Sequence, residues 1–189
     1  MIPDNLITVA IELIRKSGEA HYLPVSGVSM RPFLYDGDMV LVSPYNDQLE
    51  QGDLIVYQAS GLLITHRVLH IIHSDKKGAT FITKGDNSIV PDPPIKSSAI
   101  IGKVVAIRRK NHEMRLDNPL WRTTNNLIGA MMSVLMKLYS TIVGPRTTKT
   151  GVELGLFNRF VRRGMITLSS LVTKLLQVII GRWTPYNAT

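Results

Sequence analysis

Ser29 and His66 are the two side chains whose types and surroundings could do chemistry. Ser29 lies in Val25-Ser26-Gly27-Val28-Ser29-Met30-Arg31-Pro32, just ahead of a Gly37-Asp38 turn and the apolar run Met39 to Val42. A serine hydroxyl is a poor nucleophile at its ordinary pKa, so chemistry there needs a proton acceptor and donors for a developing oxyanion. His66 sits inside the apolar run Leu62 to Ile72. An imidazole, with an unperturbed pKa of about 6.5, needs little tuning to act as a base near neutrality, whereas a lysine near 10.4 needs heavy desolvation. Taken singly, each residue has an ordinary reading: Ser29 as a turn serine, His66 as a hydrogen-bonded strand histidine. A zinc site is disfavoured, because strand alternation puts His66 and His70 well apart on one face and His73 on the other.

The elements that would position these residues are short β-rich runs: Met39 to Val42, Leu54 to Tyr57, Leu62 to Ile72, Ala79 to Thr83 and Ile100 to Ile107. Residues from about Val25 to Leu116 read as all-β. Gly37-Asp38, Gly52-Asp53 and Gly85-Asp86 stand at strand boundaries, where Gly tolerates positive φ and Asp bonds nearby amides. Asp38 and Asp53 read as turn caps. Ahead of the strands, Leu6, Ile7, Ala10, Ile11 and Ile14 recur at helical spacing and Gly18 supplies a stop. The N-terminus carries Asp4 and Glu12 and no basic leader, so it does not read as a secretory signal.

Beyond Pro119 the composition changes to two apolar segments, Leu127 to Val143 and Met165 to Ile180, joined by a Gly-, Thr- and Arg-rich connection. We therefore divide the chain into a catalytic unit, residues 1–118, and a helical segment, 119–189. Both segments read as amphipathic helices slightly short of the roughly 20 apolar residues that span a bilayer. An interfacial hairpin, a pair packed on the β unit or a partner, and true spans all fit this pattern. The net charge is +8. Much of it falls beside these segments, as Arg108, Arg109, Lys110, Arg115, Arg122, Arg159, Arg162 and Arg163, with few aromatics nearby, which suits a lipid headgroup surface better than nucleic acid. Without cysteine, disulfides and thiolate chemistry are excluded. No cofactor is required by any motif.

Three boxes in order carry a resemblance. Gly27-x-Ser29-Met30-x-Pro32 followed by Gly37-Asp38 resembles the nucleophile box of signal peptidase I and LexA-like serine peptidases. Thr65-His66-Arg67-Val68 stands where bacterial members of that family place Lys-Arg and the archaeal and endoplasmic-reticulum members place His-Arg. Thr83-Lys84-Gly85-Asp86-Asn87-Ser88, with Asp92 trailing, is similar to the third box of the His-type enzymes. The resemblance covers residues from about Val25 to Gly102.

It implies a mainly β catalytic domain of the signal peptidase/LexA type, with a short N-terminal helix and a C-terminal helical appendage. It implies that Ser29 attacks a scissile carbonyl, His66 accepts the proton, and Asp86 or Asp92 orients the imidazolium, Asp86 being preferred as the residue facing His66. Where many signal peptidases carry a hydroxyl two residues before the nucleophile, this chain has Gly27. The Ser29 amide is expected to hold the oxyanion, helped by Ser26, while Met30 forms a packed wall beside the cleft and Arg67 anchors the strand or a carboxylate. The implied substrate is an extended leader peptide or preprotein added along a strand edge, with the enzyme held at the cytoplasmic face of a membrane. The rival readings are a LexA-like self-cleaving regulator and an inactive peptide-binding module. The oligomeric state is left open.

Overall fold

The runs read as strands are strands, and the burial of each explains why. In the computed structural model, which describes residues 9–180 and 184–185 apart from 10, 13, 15, 47, 75–77 and 144–153, β2 (Met39–Pro44) buries Val40 and Val42 and turns their neighbours outward. Strand β3 (Leu54–Ala59) instead buries four residues in succession. It divides two cores: Leu54 and Val56 belong to a larger cluster with Val40, Val42, Ile101, Val104 and Ile107, whereas Ile55 and Tyr57 join Val68, Phe81 and Ile100 on the opposite face. A continuous apolar run is what a strand covered on both faces requires.

All pairings are antiparallel. From β1 (His21–Pro24) the sheet runs β1-β2-β7-β3-β4-β5-β6, where β4 is Leu62–Ser74, β5 is Gly78–Lys84, β6 is Ile95–Lys96 and β7 is Ile100–Arg109. Strand β8 (His112–Arg115) pairs with β7, and β9 (Thr184–Pro185) returns to pair with β8. The short strands β1, β6, β8 and β9 were not among the runs expected. Described residues within 9–17 are helical, with Ile11 and Ile14 in the larger core, as their spacing foretold; Leu6, Ile7 and Ala10 lie outside the described residues.

Two helices follow the sheet, both longer than the apolar segments that signalled them: α1 spans Pro119–Val143 and α2 spans Leu154–Ile180. The start of α1 is set by Asn118, whose side-chain oxygen accepts the Trp121 amide at 2.9 Å, with proline in the first helical position. Its first turns are part of the larger core. Trp121 is 2% exposed and meets Phe33 edge-on at 5.6 Å between ring centroids. Further along, Ile128 and Met132 close over Leu69 of β4, with Leu176 of α2 alongside.

Candidate active site

Ser29 stands in an exposed turn built from the end of β1. The loop is pinned at its base: the Val25 amide donates to the Asp38 carbonyl at 2.8 Å and the Gly37 amide to the Val25 carbonyl at 3.0 Å. Gly27 adopts φ 95°, a conformation that glycine enters without a steric penalty, and its amide donates to Asp36 Oδ1 at 2.9 Å. Asp38 is buried and receives Arg109 through Nε at 2.8 Å and Nη2 at 2.6 Å. The first Gly-Asp pair is thus a buried turn anchor. Ser26, Gly27, Val28 and Ser29 all face solvent, and among the described residues the Ser29 amide makes no hydrogen bond. Met30 corrects an expectation. It is 3% exposed and lies in the larger core with Phe33 and Leu34, so its side chain supports the loop from beneath instead of walling a cleft.

His66 projects from β4 into a polar cluster that closes on one oxygen. Asp92 Oδ2 lies 2.6 Å from His66 Nδ1, 2.7 Å from Thr83 Oγ1 and 3.0 Å from Tyr57 Oη. Burial alone would raise the Asp92 pKa, but the hydrogen bonds from His66, Thr83 and Tyr57 and the nearby imidazole outweigh it and hold the carboxyl below its ordinary value. Beside that carboxylate, burial pushes the Tyr57 phenol up to about 12, so it remains a donor. An ionised carboxylate only accepts, which puts the imidazole proton on Nδ1 and leaves Nε2 as a free acceptor. Tyr57 also meets the His66 ring edge-on at 6.3 Å.

The sign of the Asp92 shift has a consequence for stability. Because its folded pKa lies below the unfolded one, Asp92 contributes stability that is present above about pH 3.9 and is lost as pH falls through the folded value. Asp92→Asn should flatten the acid limb of a plot of melting temperature against pH between roughly pH 2 and 5; an unchanged limb would show that other carboxylates set it.

The third box joins the nucleophile to the base. The Asn87 amide donates to the Ser29 carbonyl at 2.7 Å, and Asn87 Nδ2 donates to the Val28 carbonyl at 3.2 Å. Lys84 fixes the same turn from behind, donating to the Gly85 carbonyl at 2.8 Å and the Ser88 carbonyl at 2.6 Å; burial lowers its pKa, partly offset by Asp86. Gly85 lies between the two candidate groups. A Cβ built there would stand 2.7 Å from the Ser29 carbonyl oxygen, 3.0 Å from His66 Nε2 and 3.1 Å from Ser29 Cβ. Ser29 and the acceptor nitrogen of His66 therefore adjoin one small space that only a glycine leaves open. Gly85→Ala should fold but lower turnover at least 100-fold, because a displacement of about 1 Å in a reacting pair has that order of effect. Activity within threefold of the original, measured on the same peptide, would count against this geometry.

Asp86 corrects the other expectation, since it does not face His66. Arg67 follows His66 and, by strand alternation, points to the opposite face. It donates to Asp86 Oδ1 through Nε at 2.9 Å and to Oδ2 through Nη2 at 2.8 Å, with both side chains fully buried. Arg67 Nη1 adds 2.9 Å bonds to the Gly52 carbonyl and to Asn125 Oδ1 of α1, and the guanidinium lies 4.9 Å over the Phe33 ring. Of the two aspartates, the structure thus brings Asp92 to His66 and gives Asp86 to Arg67. Sequence reasoning missed Tyr57, Thr83 and Asn125 as supporting groups. Thr83 lay within the third box, and Tyr57 is aligned with β4 beside it, but Asn125 had no local signal.

Comparison with known proteins finds a family model and curated relatives for this chain. The profile described as Peptidase S24-like matches residues 2–105. The chain is similar to the "Signal peptidase complex catalytic subunit SEC11" of Zygosaccharomyces rouxii, 36% identical over 69 residues, which are 35% of this chain and 41% of that protein. It is 30% identical over 96 residues to the "Signal peptidase complex catalytic subunit SEC11C" of Homo sapiens, covering 49% and 50% of the two chains. With SEC11 of Candida dubliniensis the identity is 34% over 84 residues, 43% and 49% of the two chains. The chain spans about half the length of the curated relatives it matches.

Proposed function

This chain belongs to the Peptidase S24-like family, and on that premise we propose that it is a serine endopeptidase that removes leader or signal peptides. Ser29 Oγ attacks the scissile carbonyl while His66 Nε2 takes its proton, and Asp92 holds the Nδ1 proton and stabilises the imidazolium. The tetrahedral intermediate collapses as His66 returns the proton to the leaving amine, giving a new amino terminus and an acyl ester on Ser29. Water, deprotonated by the same imidazole, then hydrolyses the ester. The Ser29 amide binds the oxyanion, with Ser26 assisting. Asp86 is a structural anchor for Arg67. The observation that carries this reading is that Ser29 and His66 Nε2 border one space beside Gly85, with Asp92 on the far nitrogen.

The exposed segment 26–29 continues from β1, the first strand of the sheet's path, and an extended peptide aligned there would present successive side chains to alternate sides. We take the catalytic unit to extend into α1, because Trp121 and Asn125 complete the packing behind Phe33 and Arg67. The helices beyond residue 118 hold it on a membrane, at the cytoplasmic face; a protease-protection assay finding the catalytic unit outside would overturn that side. The test of the activity is a panel of synthetic leader peptides, followed by mass spectrometry. Cleavage at one bond after small residues, abolished by a bulky residue at the position before it, is expected. Failure to cleave any member, by a protein whose membrane attachment and fold are intact, would favour a peptide-binding module.

A further inference from the structure

Helix α2 is built with its polarity inverted. Its buried side chains, among the described residues, are Ser169, Thr173 and Gln177, none more than 7% exposed, with the partly buried Leu176 and Ile180 packed beside them. Facing outward are Phe160, Leu168, Leu171, Leu175, Val178 and Ile179, from 53% to 78% exposed. At about 100° per residue the outward set falls in one sector of roughly 100°, opposite the polar set. Helices that pack on a soluble core do the reverse, and a continuous exposed strip of this kind marks an interaction surface. Helix α1 shares only the exposed half of this pattern: it buries Trp121, Ile128 and Met132 together with Thr124, Asn125 and Ser133, while Leu127, Val134, Leu138 and Ile142 are exposed.

Charge identifies what covers the strip. Neither helix sequence contains an acidic residue, whereas α1 carries Arg122 and Lys137 and α2 carries Arg159, Arg162, Arg163 and Lys174. Arg163 and Lys174 border the strip along one side at helical spacing. An apolar strip edged by cations complements an anionic headgroup surface. By length and composition Arg159–Ile180 could cross a membrane, but its packing favours a helix lying on the β unit. Gln177 Nε2 donates to the Phe33 carbonyl at 3.1 Å, Ile180 packs on the larger core, and Ser169 and Thr173 are covered, so the C-terminal part of α2 has protein along one side. The remainder, residues 154–168, is about 22 Å long against a hydrocarbon core of about 30 Å, and it carries three arginines.

We propose that the Phe160–Ile179 face of α2 is an in-plane lipid-binding surface selective for anionic headgroups, with Arg163 and Lys174 at the headgroup level. This specifies, and rests on, the reading that residues 119–189 attach to a membrane; it does not depend on the peptidase chemistry. Because Gln177 bonds the carbonyl of Phe33, four residues beyond Ser29, the face that meets lipid belongs to the helix that also braces the nucleophile loop.

Flotation of the full chain with phosphatidylcholine vesicles, alone or with 30% phosphatidylglycerol (a composition of about the anionic content that tests headgroup charge), reads the contact directly. Wild type should float with the anionic vesicles and partition at least tenfold less to the neutral ones, the difference shrinking at high salt. Leu171→Ser with Leu175→Ser should reduce partition at least tenfold on both, and Arg163→Glu with Lys174→Glu should do so on anionic vesicles only. Wild type that floats while both double variants float equally would leave the attachment standing and overturn this surface. Wild type that floats with neither vesicle would overturn both the attachment and this surface. A soluble wild-type dimer, made monomeric by the leucine variant and indifferent to vesicles, would assign the strip to a second copy and also overturn the proposal.

Discussion

Replacing His66 by alanine is expected to lower kcat on a cleaved leader peptide about 10,000-fold, with the fold intact. The imidazole is on the cleft side of β4 and contributes its Nδ1 contact to Asp92, yet it is not part of either large apolar cluster, so its loss removes the base without opening a core. The residual activity would come from oxyanion binding and substrate positioning, which survive the change. Asp92→Asn should cost on the order of 100- to 10,000-fold, since an amide in that place no longer fixes the tautomer that leaves Nε2 free. The pair must be strongly non-additive, because Asp92 acts through His66: the double variant should be no slower than His66→Ala alone. Steady-state kinetics on one peptide checks all three values, and multiplicative losses would contradict a shared unit.

Arg67→Ala is expected to destabilise the protein by about 3–5 kcal/mol. The guanidinium is fully buried and places four hydrogen bonds, two on Asp86, one on the Gly52 carbonyl and one on Asn125. Removing it leaves the Asp86 carboxylate uncompensated in a site without water access, and that desolvated charge is the main cost. It also releases α1, which Asn125 ties to β4. The close approach of that helix is visible at Gly52, where a Cβ would collide with the Asn125 carbonyl oxygen. Replacing both partners with apolar residues, Arg67→Met with Asp86→Leu, should destabilise less than Arg67→Ala alone. Urea unfolding followed by tryptophan fluorescence measures both. A loss below about 1 kcal/mol for Arg67→Ala would mean that the pair behaves as a surface ion pair does.

Much of this site was legible because its parts are local. A Gly-x-Ser turn, a histidine in an apolar strand and a Gly-Asp-Asn turn each declare themselves within a few residues, and the mainly β fold follows from runs such as Met39 to Val42. The assignment between Asp86 and Asp92 was not legible, because it depends on register. Arg67 pairs with Lys84 across β4 and β5, which brings Asp86, just beyond the strand end, to the Arg67 side of the sheet, while Asp92 is drawn back by its amide bonding the Thr83 carbonyl. Such a fold-back across a turn leaves no periodicity. Met30 was misplaced for a similar reason: a residue next to an exposed serine can still turn fully into the core. Helix α1 begins before its apolar segment because its first turns bury the polar Thr124 and Asn125, which reverses the pattern on which helix limits are read.

The central claim is that Ser29 is the nucleophile. Its most direct measurement is rapid quenching of the wild-type enzyme with a cleaved leader peptide, followed by mapping of the acyl adduct by mass spectrometry, alongside turnover by Ser29→Ala. An adduct on Ser29 equal in mass to the amino-terminal product, with no turnover in Ser29→Ala, is the predicted result. Undiminished cleavage by Ser29→Ala, or an adduct on any other residue, would contradict the account.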